Sequence, residues 1–244
     1  MPMLLSVDIH KNLFLAGLPD ADLMNLRPHL QLVSGKIGEV FFGAGDSAQY
    51  LYFPLGGVIS MLTNFQEGRG VEVALIGMEG IAGVSAAMGS PANWHDAVVQ
   101  APGDFLKIKA DVFQAELKRS VALRERLNRY VLFLLAEISQ TAACNRIHRL
   151  EQRLARWLLM THDQVRTNEF DETHEFLSHM LGSDRSEVTI AAGILRKAGL
   201  ISYFRGKVKI LDREGLEEVA CECYRIIANE SARFLGLNNG PGQG

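Results

Sequence analysis

Cysteine is scarce in this chain of 244 residues, and its three cysteines are Cys144, Cys221 and Cys223. They are too few and too unevenly spaced for a disulfide framework, which indicates a reducing, cytoplasmic environment. Cys221 and Cys223 are expected on one helix, where alternate positions point apart, so no metal site is predicted. An iron–sulfur cluster needs about four cysteine ligands in one domain. The absence of cysteine before Cys144 therefore argues against an iron–sulfur sensor.

Long apolar runs and catalytic motifs are also missing. No uninterrupted apolar stretch reaches the ~18 residues of a membrane span, so no membrane partner is expected. Asp8 and Lys11 interrupt the N-terminal apolar stretch, which lacks the layout of a signal peptide. The chain has no nucleophile elbow, phosphate-binding loop or HExxH motif. These absences argue against an enzyme, and no catalytic residues are predicted.

The charge is mildly negative overall but unevenly placed. A net charge of -3, with 48% hydrophobic and 22% charged residues, is ordinary for a globular protein and argues against nonspecific nucleic-acid binding. Between residues 185 and 209, however, Glu187 is the one acid among six cations. These cations are Arg185, Arg196, Lys197, Arg205, Lys207 and Lys209. Such a local cluster is a small electrostatic footprint for DNA.

The pattern of apolar and turn-forming residues changes along the chain. Residues 1–34 have the pattern of short helices. Residues 35–108 alternate short apolar runs with Gly, Asn, Asp and Pro, which predicts the short strands of a sandwich or barrel. From residue 111 the pattern is helical. We predict helices over 146–164 and 213–232, a turn over 166–170, and a disordered Asn- and Gly-rich tail.

Apolar residues between residues 127 and 141 recur with the 4-3-4-3 spacing of a coiled-coil seam. The seam consists of Leu127, Val131, Leu134, Ile138 and Thr141. A helix with so wide an apolar surface is expected to bury one side on its own domain and another on a partner. The pattern therefore favours a homodimer, and a core helix within a monomer is the alternative.

Residues 173–199 have the pattern of a helix-turn-helix. Two helical segments flank Gly182-Ser183-Asp184, and the exposed start of the second segment carries Arg185, Ser186, Glu187 and Thr189. In such motifs this part of the second helix reaches base edges in the major groove. Arginine can bind guanine with two hydrogen bonds, and serine or threonine can bind base or phosphate.

A hairpin follows the second helix and resembles a DNA-contacting wing. If Arg205, Lys207 and Lys209 alternate along a strand, they share one face and can contact phosphates. Asp184 and Glu187 place negative charge near the same DNA surface. That charge leaves an alternative open, namely a sensor or protein-binding module that no longer reads DNA.

Three stretches resemble the CRP/FNR superfamily of transcription regulators, and the resemblance covers roughly residues 10–230. The first is GDSAQYLYF at 45–53, which continues through 56–59. The others are NRIHRLEQRLARWLL at 145–159 and the helix-turn-helix at 176–201. The resemblance implies an α+β fold with an N-terminal β-roll sensor (a cyclic-nucleotide-binding-like jelly roll) at 1–118. It also implies a dimerisation helix at 119–144, a winged helix-turn-helix at 145–232 and a tail at 233–244.

The resemblance also implies partners and functional residues. A homodimer would bind a palindromic operator in double-stranded DNA, and RNA polymerase is an expected partner. Arg185 matches the first arginine of the family's reading helix, but Ser186 and Ile190 replace a glutamate and a second arginine. The consensus half-site of the best-known members is therefore not expected here.

The sensor departs from the cyclic-AMP-binding members of the family. Their ribose-binding motif corresponds to Gly77-Met78-Glu79-Gly80, and their phosphate-binding arginine pair would fall near His95-Asp96. An acid at that position repels phosphate, so cyclic AMP is not expected and no cofactor is predicted.

Glu79, Gly80, Trp94, His95 and Asp96 are instead candidate lining residues of a different effector pocket. A solvated loop between two strands is the alternative interpretation of residues 94–96. Three histidines leave haem open, and they are His10, His29 and His95. Cys144 lies near Arg146 and Arg149, so it would be a redox switch if its thiol pKa were lowered, and a buried inert thiol otherwise.

Overall fold

The computed structural model describes residues 7–66 and 70–237. The N-terminal half is a β-roll of seven strands with short flanking helices. Its strands are β1 (Gln31–Gly35), β2 (Val40–Phe42), β3 (Tyr50–Pro54), β4 (Val58–Asn64), β5 (Gly70–Ile76), β6 (Asp96–Ala101) and β7 (Gly103–Lys109). Its helices are α1 (Leu13–Ala16), α2 (Asp20–Leu26), α3 (Val84–Ala87) and α4 (Ala110–Arg119).

The strands form two antiparallel sheets, in the orders β1-β7-β3 and β2-β6-β4-β5. Inward-facing side chains such as Phe53, Ile59, Val99 and Phe105 are fully buried between and beneath the sheets. Burial of this much apolar surface is the main stabilising term of such a roll. The predicted α+β fold with an N-terminal β-roll is confirmed.

A single long helix, α5 (Val121–Ile147), connects the roll to the C-terminal half. It begins where the Ser120 hydroxyl accepts a hydrogen bond from the Leu123 amide at 3.0 Å, as in a typical N-cap. Its hydrophobic surface is wide, because it packs on both the roll and the C-terminal helix α10 (Cys223–Leu235). The predicted long helix is therefore present.

Most of the predicted seam of α5 does not lie on the exposed side of that helix. Leu127, Leu134 and Thr141 are buried within their own chain. Leu132 and Leu135 are instead exposed, at 65% and 58%. These three residues face their own domain in the protomer, and their place in a dimer interface stays a prediction.

The C-terminal half is a helical domain with a small sheet. It contains α6 (Leu150–Val165), β8 (Glu169–Asp171), α7 (His174–Leu181), α8 (Arg185–Lys197), β9 (Ile201–Phe204), β10 (Lys207–Ile210), α9 (Arg213–Val219) and the helix α10. The strands pair in the antiparallel order β8-β10-β9. Helices α7 and α8 with the β9–β10 hairpin form the predicted winged helix-turn-helix.

Two local predictions in this domain were wrong. The turn expected over residues 166–170 overlaps strand β8, because Phe170 is buried opposite Val208 and extends the small sheet. The single helix expected over 213–232 is broken at Ala220, where the backbone is extended (ψ 148°). The expected tail begins inside α10, and residues 238–244 lie outside the described residues.

No helix in the described ranges is both long and apolar enough to cross a bilayer.

Candidate DNA interface and sensor junction

The turn between α7 and α8 depends on Gly182. This residue has the left-handed φ of 57° that favours glycine, and a Cβ there would lie 3.1 Å from Cγ2 of Val71. Asp184 and Glu187 then form a capping box, in which the Asp184 amide donates to Oε2 of Glu187 at 3.3 Å. The two acids therefore have a structural role, because they satisfy amide groups at the start of the helix.

Helix α8 exposes the predicted reading residues. Its inner face buries Val188, Ala191, Ala192 and Leu195 against the rest of the domain. The residues at its solvent-facing start are Arg185, Ser186, Glu187 and Thr189. The exposed face continues through Ile190, which is 65% exposed and can supply an apolar contact but no base-specific hydrogen bond.

Thr189 is also tied into the domain. Its hydroxyl donates to the Arg185 carbonyl at 2.9 Å and lies 2.9 Å from Nδ1 of His174. The His174 ring packs against the Tyr203 ring, with centroids 4.2 Å apart. Burial lowers the pKa of His174, and the nearby Arg185 charge lowers it further, which favours the neutral imidazole. These contacts fix α8 relative to α7 and the wing.

The wing differs from the expectation that three cations share one strand face. Arg205 and Gly206 form a tight turn with positive φ values of 49° and 80°, so Arg205 lies at the tip of the hairpin. Lys207 lies in β10, where its Nζ is 3.4 Å from Glu169 and 3.5 Å from Asp171. These acids belong to β8, which sequence reasoning missed. Arg205 is therefore the better placed wing residue for a phosphate.

The five predicted effector-pocket residues do not line one pocket. Glu79 is buried beside a cleft of about 250 Å³, where its Oε1 accepts from the Gly77 amide at 2.9 Å. Gly80 packs closely against the ring of Tyr130. Burial raises the pKa of Glu79, which favours its neutral form. The ribose-motif counterpart therefore faces the protein interior.

The other three predicted pocket residues lie elsewhere. Trp94, 72% exposed, and His95 line an apolar groove of about 630 Å³ between the roll and α5. Asp96 accepts hydrogen bonds from the Ala44 amide at 2.5 Å and from Asn64. The structure therefore does not bring Glu79, Trp94 and Asp96 together in one pocket.

A buried polar junction joins the β-roll to the C-terminal domain, and no sequence motif indicated it. Nε1 of Trp157 in α6 donates to Oε1 of Glu72 in β5 at 2.9 Å, and Nε2 of Gln100 donates to the Thr161 hydroxyl at 2.7 Å. Burial raises the pKa of Glu72 to about 7. The sequence signal was an acid at an inward-facing position of an apolar strand.

A second buried carboxylate in this junction belongs to α5. Oε1 of Glu137 accepts from the Leu75 amide at 2.9 Å. Burial raises the pKa of Glu137 to about 8, with Glu79 and Glu72 adding to the shift and Arg156 opposing it. Helix α5, the roll and α6 therefore meet around buried carboxyl groups whose pKa is raised toward neutral pH.

The three cysteines also come together, contrary to the argument that Cys221 and Cys223 point apart. The helix break at Ala220 lets both approach Cys144, and His148 completes a group whose candidate ligand atoms all lie within 4.8 Å of one another. A hydrogen bond with Cys221 lowers the pKa of Cys144 to about 5 and raises that of Cys221. The prediction that Cys221 and Cys223 point apart on one helix was therefore wrong.

Comparisons with known proteins agree with this architecture. Residues 33–120 match the cyclic nucleotide-binding domain and residues 152–219 match the Crp-like helix-turn-helix domain. Together the two matches cover more than half of the chain. The transcriptional regulator SdrP of Thermus thermophilus is 26% identical over 200 residues, which are 78% of this chain and 94% of SdrP.

Two solved structures have a similar fold. TTHB099, a transcriptional regulator of the CRP family from Thermus thermophilus, has a TM-score of 0.66 at 20% identity, covering 77% of this chain and 96% of that one. FixK2 from Bradyrhizobium japonicum has a TM-score of 0.67 at 15% identity, covering 79% of this chain and 98% of that one. With its sensor roll and its helix-turn-helix both matched, the chain belongs to the CRP/FNR family of transcription regulators, which are not enzymes.

Proposed function

We propose that this regulator is a homodimer that reads a palindromic operator through α8, under control of the contact between its sensor and its DNA-binding domain. The observation that carries the DNA-reading part is the solvent-facing start of α8, where Arg185 and Ser186 follow the Gly182 turn. A two-fold axis would place two such helices ~34 Å apart, one turn of DNA. It would act in the cytoplasm, where the DNA lies, with RNA polymerase as a further partner.

The proposed dimer contact lies on the open side of α5. Leu132 and Leu135 are exposed there, beside the half-buried Val131 and Ile138. Exposed leucines one turn apart on a 27-residue helix are suited to a paired helix from a second copy. The dimer therefore uses Val131 and Ile138 of the predicted seam, together with two leucines that lie outside it.

The proposed control passes through the sensor junction rather than through cyclic AMP. The hydrogen bonds that Trp157 donates to Glu72 and that Gln100 donates to Thr161 favour one placement of the reading domain on the roll. An effector that alters this placement changes the geometry of both reading helices, as a two-state shift. No effector is required if this placement is already competent to bind DNA.

The structure of α8 argues against the alternative, a sensor or protein-binding module that no longer reads DNA. That alternative depended on repulsion of DNA by Asp184 and Glu187, and both residues belong to the capping box. Their negative charge lies next to the positive end of the helix dipole, which offsets part of it.

The test is a selection of bound sequences from random duplex DNA with the full-length protein. We expect an enriched inverted repeat whose half-sites are one helical turn apart. Arg185→Ala should then cost ~1–3 kcal/mol and relax one base position in each half-site. Arg196→Ala, on the exposed last turn of the same helix, is the matched control and should keep the base preference. Absence of any enriched motif would contradict the proposal.

A further inference from the structure

The most concentrated set of metal-ligating side chains in the described residues lies at the junction between α5 and the C-terminal helices. It consists of Cys144, His148, Cys221 and Cys223, whose ligand atoms are all within 4.8 Å of one another. Sγ of Cys144 lies 3.5 Å from Sγ of Cys221, and Sγ of Cys223 lies 3.5 Å from Nδ1 of His148. The three cysteines are free and buried.

The geometry points to a mononuclear structural zinc site formed by these three cysteines and His148. In a tetrahedral site with Zn–S near 2.3 Å and Zn–N near 2.0–2.1 Å, neighbouring ligand atoms are about 3.5–3.8 Å apart. The two 3.5 Å pairs already meet this spacing, and a small contraction of the wider pairs would complete the tetrahedron. Four protein ligands leave no open position, which is the pattern of a structural rather than a catalytic zinc ion.

Local backbone structure explains how distant residues reach one point. Cys144 lies in the last turn of α5, and His148 follows the helix directly as its C-cap residue, with its amide donating to the Cys144 carbonyl at 3.1 Å. Cys221 and Cys223 flank Glu222, between the extended backbone of Ala220 and the start of α10. The motif CxxxH therefore meets the motif CxC across the junction.

The surroundings of His148 are those of a metal ligand. Its Nδ1 faces Cys223, while its Nε2 lies 3.2 Å from Oε2 of Glu222. Histidines that bind metal through one ring nitrogen commonly donate the other N–H to a carboxylate, which fixes the tautomer and the ring orientation. This contact is independent of the cysteine cluster and indicates the same site.

The surroundings of the sulfurs also favour thiolates. Nε2 of Gln140 donates to Sγ of Cys223 at 3.1 Å. Three thiolates and one Zn²⁺ carry a net charge of -1, and α6 supplies two buried cations nearby, Arg153 and Arg156. The Nε atoms of both arginines are buried without a hydrogen-bond partner, so a compensating charge nearby would lower the cost of burying them.

The compactness of the cluster selects the kind of metal centre. An iron–sulfur cluster places several irons and sulfides between its cysteines, so it needs ligands farther apart than those of one ion. Thiolates with one imidazole are soft ligands, a set that suits Zn²⁺. The ion would fix the end of the dimer helix to the α9–α10 break and so stiffen the connection between sensor and reading domain.

The first experiment measures metal in the full-length protein after purification under reducing conditions, by elemental analysis. We expect about one zinc per chain. Zinc removed by a chelator should be replaceable by Co²⁺, with the intense visible bands of tetrahedral cobalt and a thiolate-to-cobalt charge-transfer band. A protein that binds neither ion, or a cobalt spectrum of octahedral oxygen ligands, would overturn the proposal.

Variants distinguish a zinc site from a Cys144–Cys221 disulfide. Cys221→Ser should lose bound zinc, and Glu222→Gln should weaken zinc affinity ~10-fold or more while keeping all four ligands. His29→Gln, at an exposed position in the N-terminal half, is the control and should retain about one zinc. A Cys144–Cys221 disulfide found by mass spectrometry in metal-free protein that cannot be loaded after reduction would contradict the site.

The cobalt spectrum of the unmodified protein keeps the test decisive if Cys221→Ser does not fold. The zinc proposal and the DNA-reading proposal also fail separately. Metal content can be measured without any DNA. The effect of Arg185→Ala on base preference is measured by comparing proteins with the same metal content.

Discussion

Nε1 of Trp157 lies 2.9 Å from Oε1 of Glu72 and donates to it across the boundary between the DNA-binding domain and the sensor roll. Trp157 is 2% exposed and Glu72 is 7% exposed, so this hydrogen bond is shielded from water. The other carboxylate oxygen accepts from the Ser60 hydroxyl at 2.5 Å. Helix α6, which follows α5 in sequence, is thereby fixed to strand β5 of the roll.

Trp157→Phe should destabilise the protein, because it leaves the apolar ring but removes the indole donor to Glu72. A buried acceptor that loses its partner costs ~1–3 kcal/mol, so the free energy of unfolding should fall by that amount. Urea denaturation followed by circular dichroism measures the change. Trp94→Phe is the control, because Trp94 is 72% exposed and its replacement should stay within ~0.5 kcal/mol of the parent. Equal effects of the two substitutions would show that the Trp157 hydrogen bond contributes nothing.

The buried carboxyls of the junction predict a stability that falls as pH rises. Burial raises the pKa of Glu137 from its ordinary value of 4.5 to about 8, and that of Glu72 to about 7. Between the ordinary pKa of 4.5 and these raised values, the folded state therefore holds more protons than the unfolded state. The free energy of unfolding contributed by the two groups is fully present below pH 4.5, and is lost as pH rises through about 7 and 8.

Glu137→Gln should flatten this pH dependence, because the amide cannot ionise and its oxygen can still accept from the Leu75 amide. Thermal unfolding midpoints measured from pH 5 to pH 9 check the effect. Glu125→Gln, on the exposed side of the same helix, should leave the slope of the parent unchanged. A Glu137→Gln curve parallel to that of the parent would refute the assignment.

Sequence patterns predicted the helices and strands of this protein better than the tertiary contacts that those elements make. The Gly182 turn and the exposed residues of α8 were predictable, because helix periodicity and a positive φ at glycine are local properties. The side of α5 that faces outward was not, since Leu127 and Leu134 satisfy the same spacing rule as a dimer seam. The break at Ala220 has no proline or glycine signal, so the approach of Cys221 to Cys144 depends on tertiary packing.

The wing offers a matched comparison of two cations. Arg205 lies at the tip of the hairpin, whereas Lys207 contacts Glu169 and Asp171, which also raise its pKa. Arg205→Ala should reduce the slope of log affinity against log salt by about 1 per lost phosphate contact, and Lys207→Ala should change it much less. Operator titrations at several salt concentrations measure both slopes. A larger loss for Lys207→Ala would mean that DNA displaces the β8 acids.

The proposed dimer contact on the open side of α5 predicts that Leu135 is needed for dimerisation. Leu135 is 58% exposed in the protomer, so Leu135→Glu should fold normally but place a charge in the apolar contact with the second copy. We expect the mass from analytical ultracentrifugation to shift from dimer toward monomer, together with weaker operator binding. Met24→Glu is the matched control, because Met24 is 67% exposed on α2 and should leave the mass unchanged. A Leu135→Glu protein that stays dimeric would move the interface away from this side of the helix.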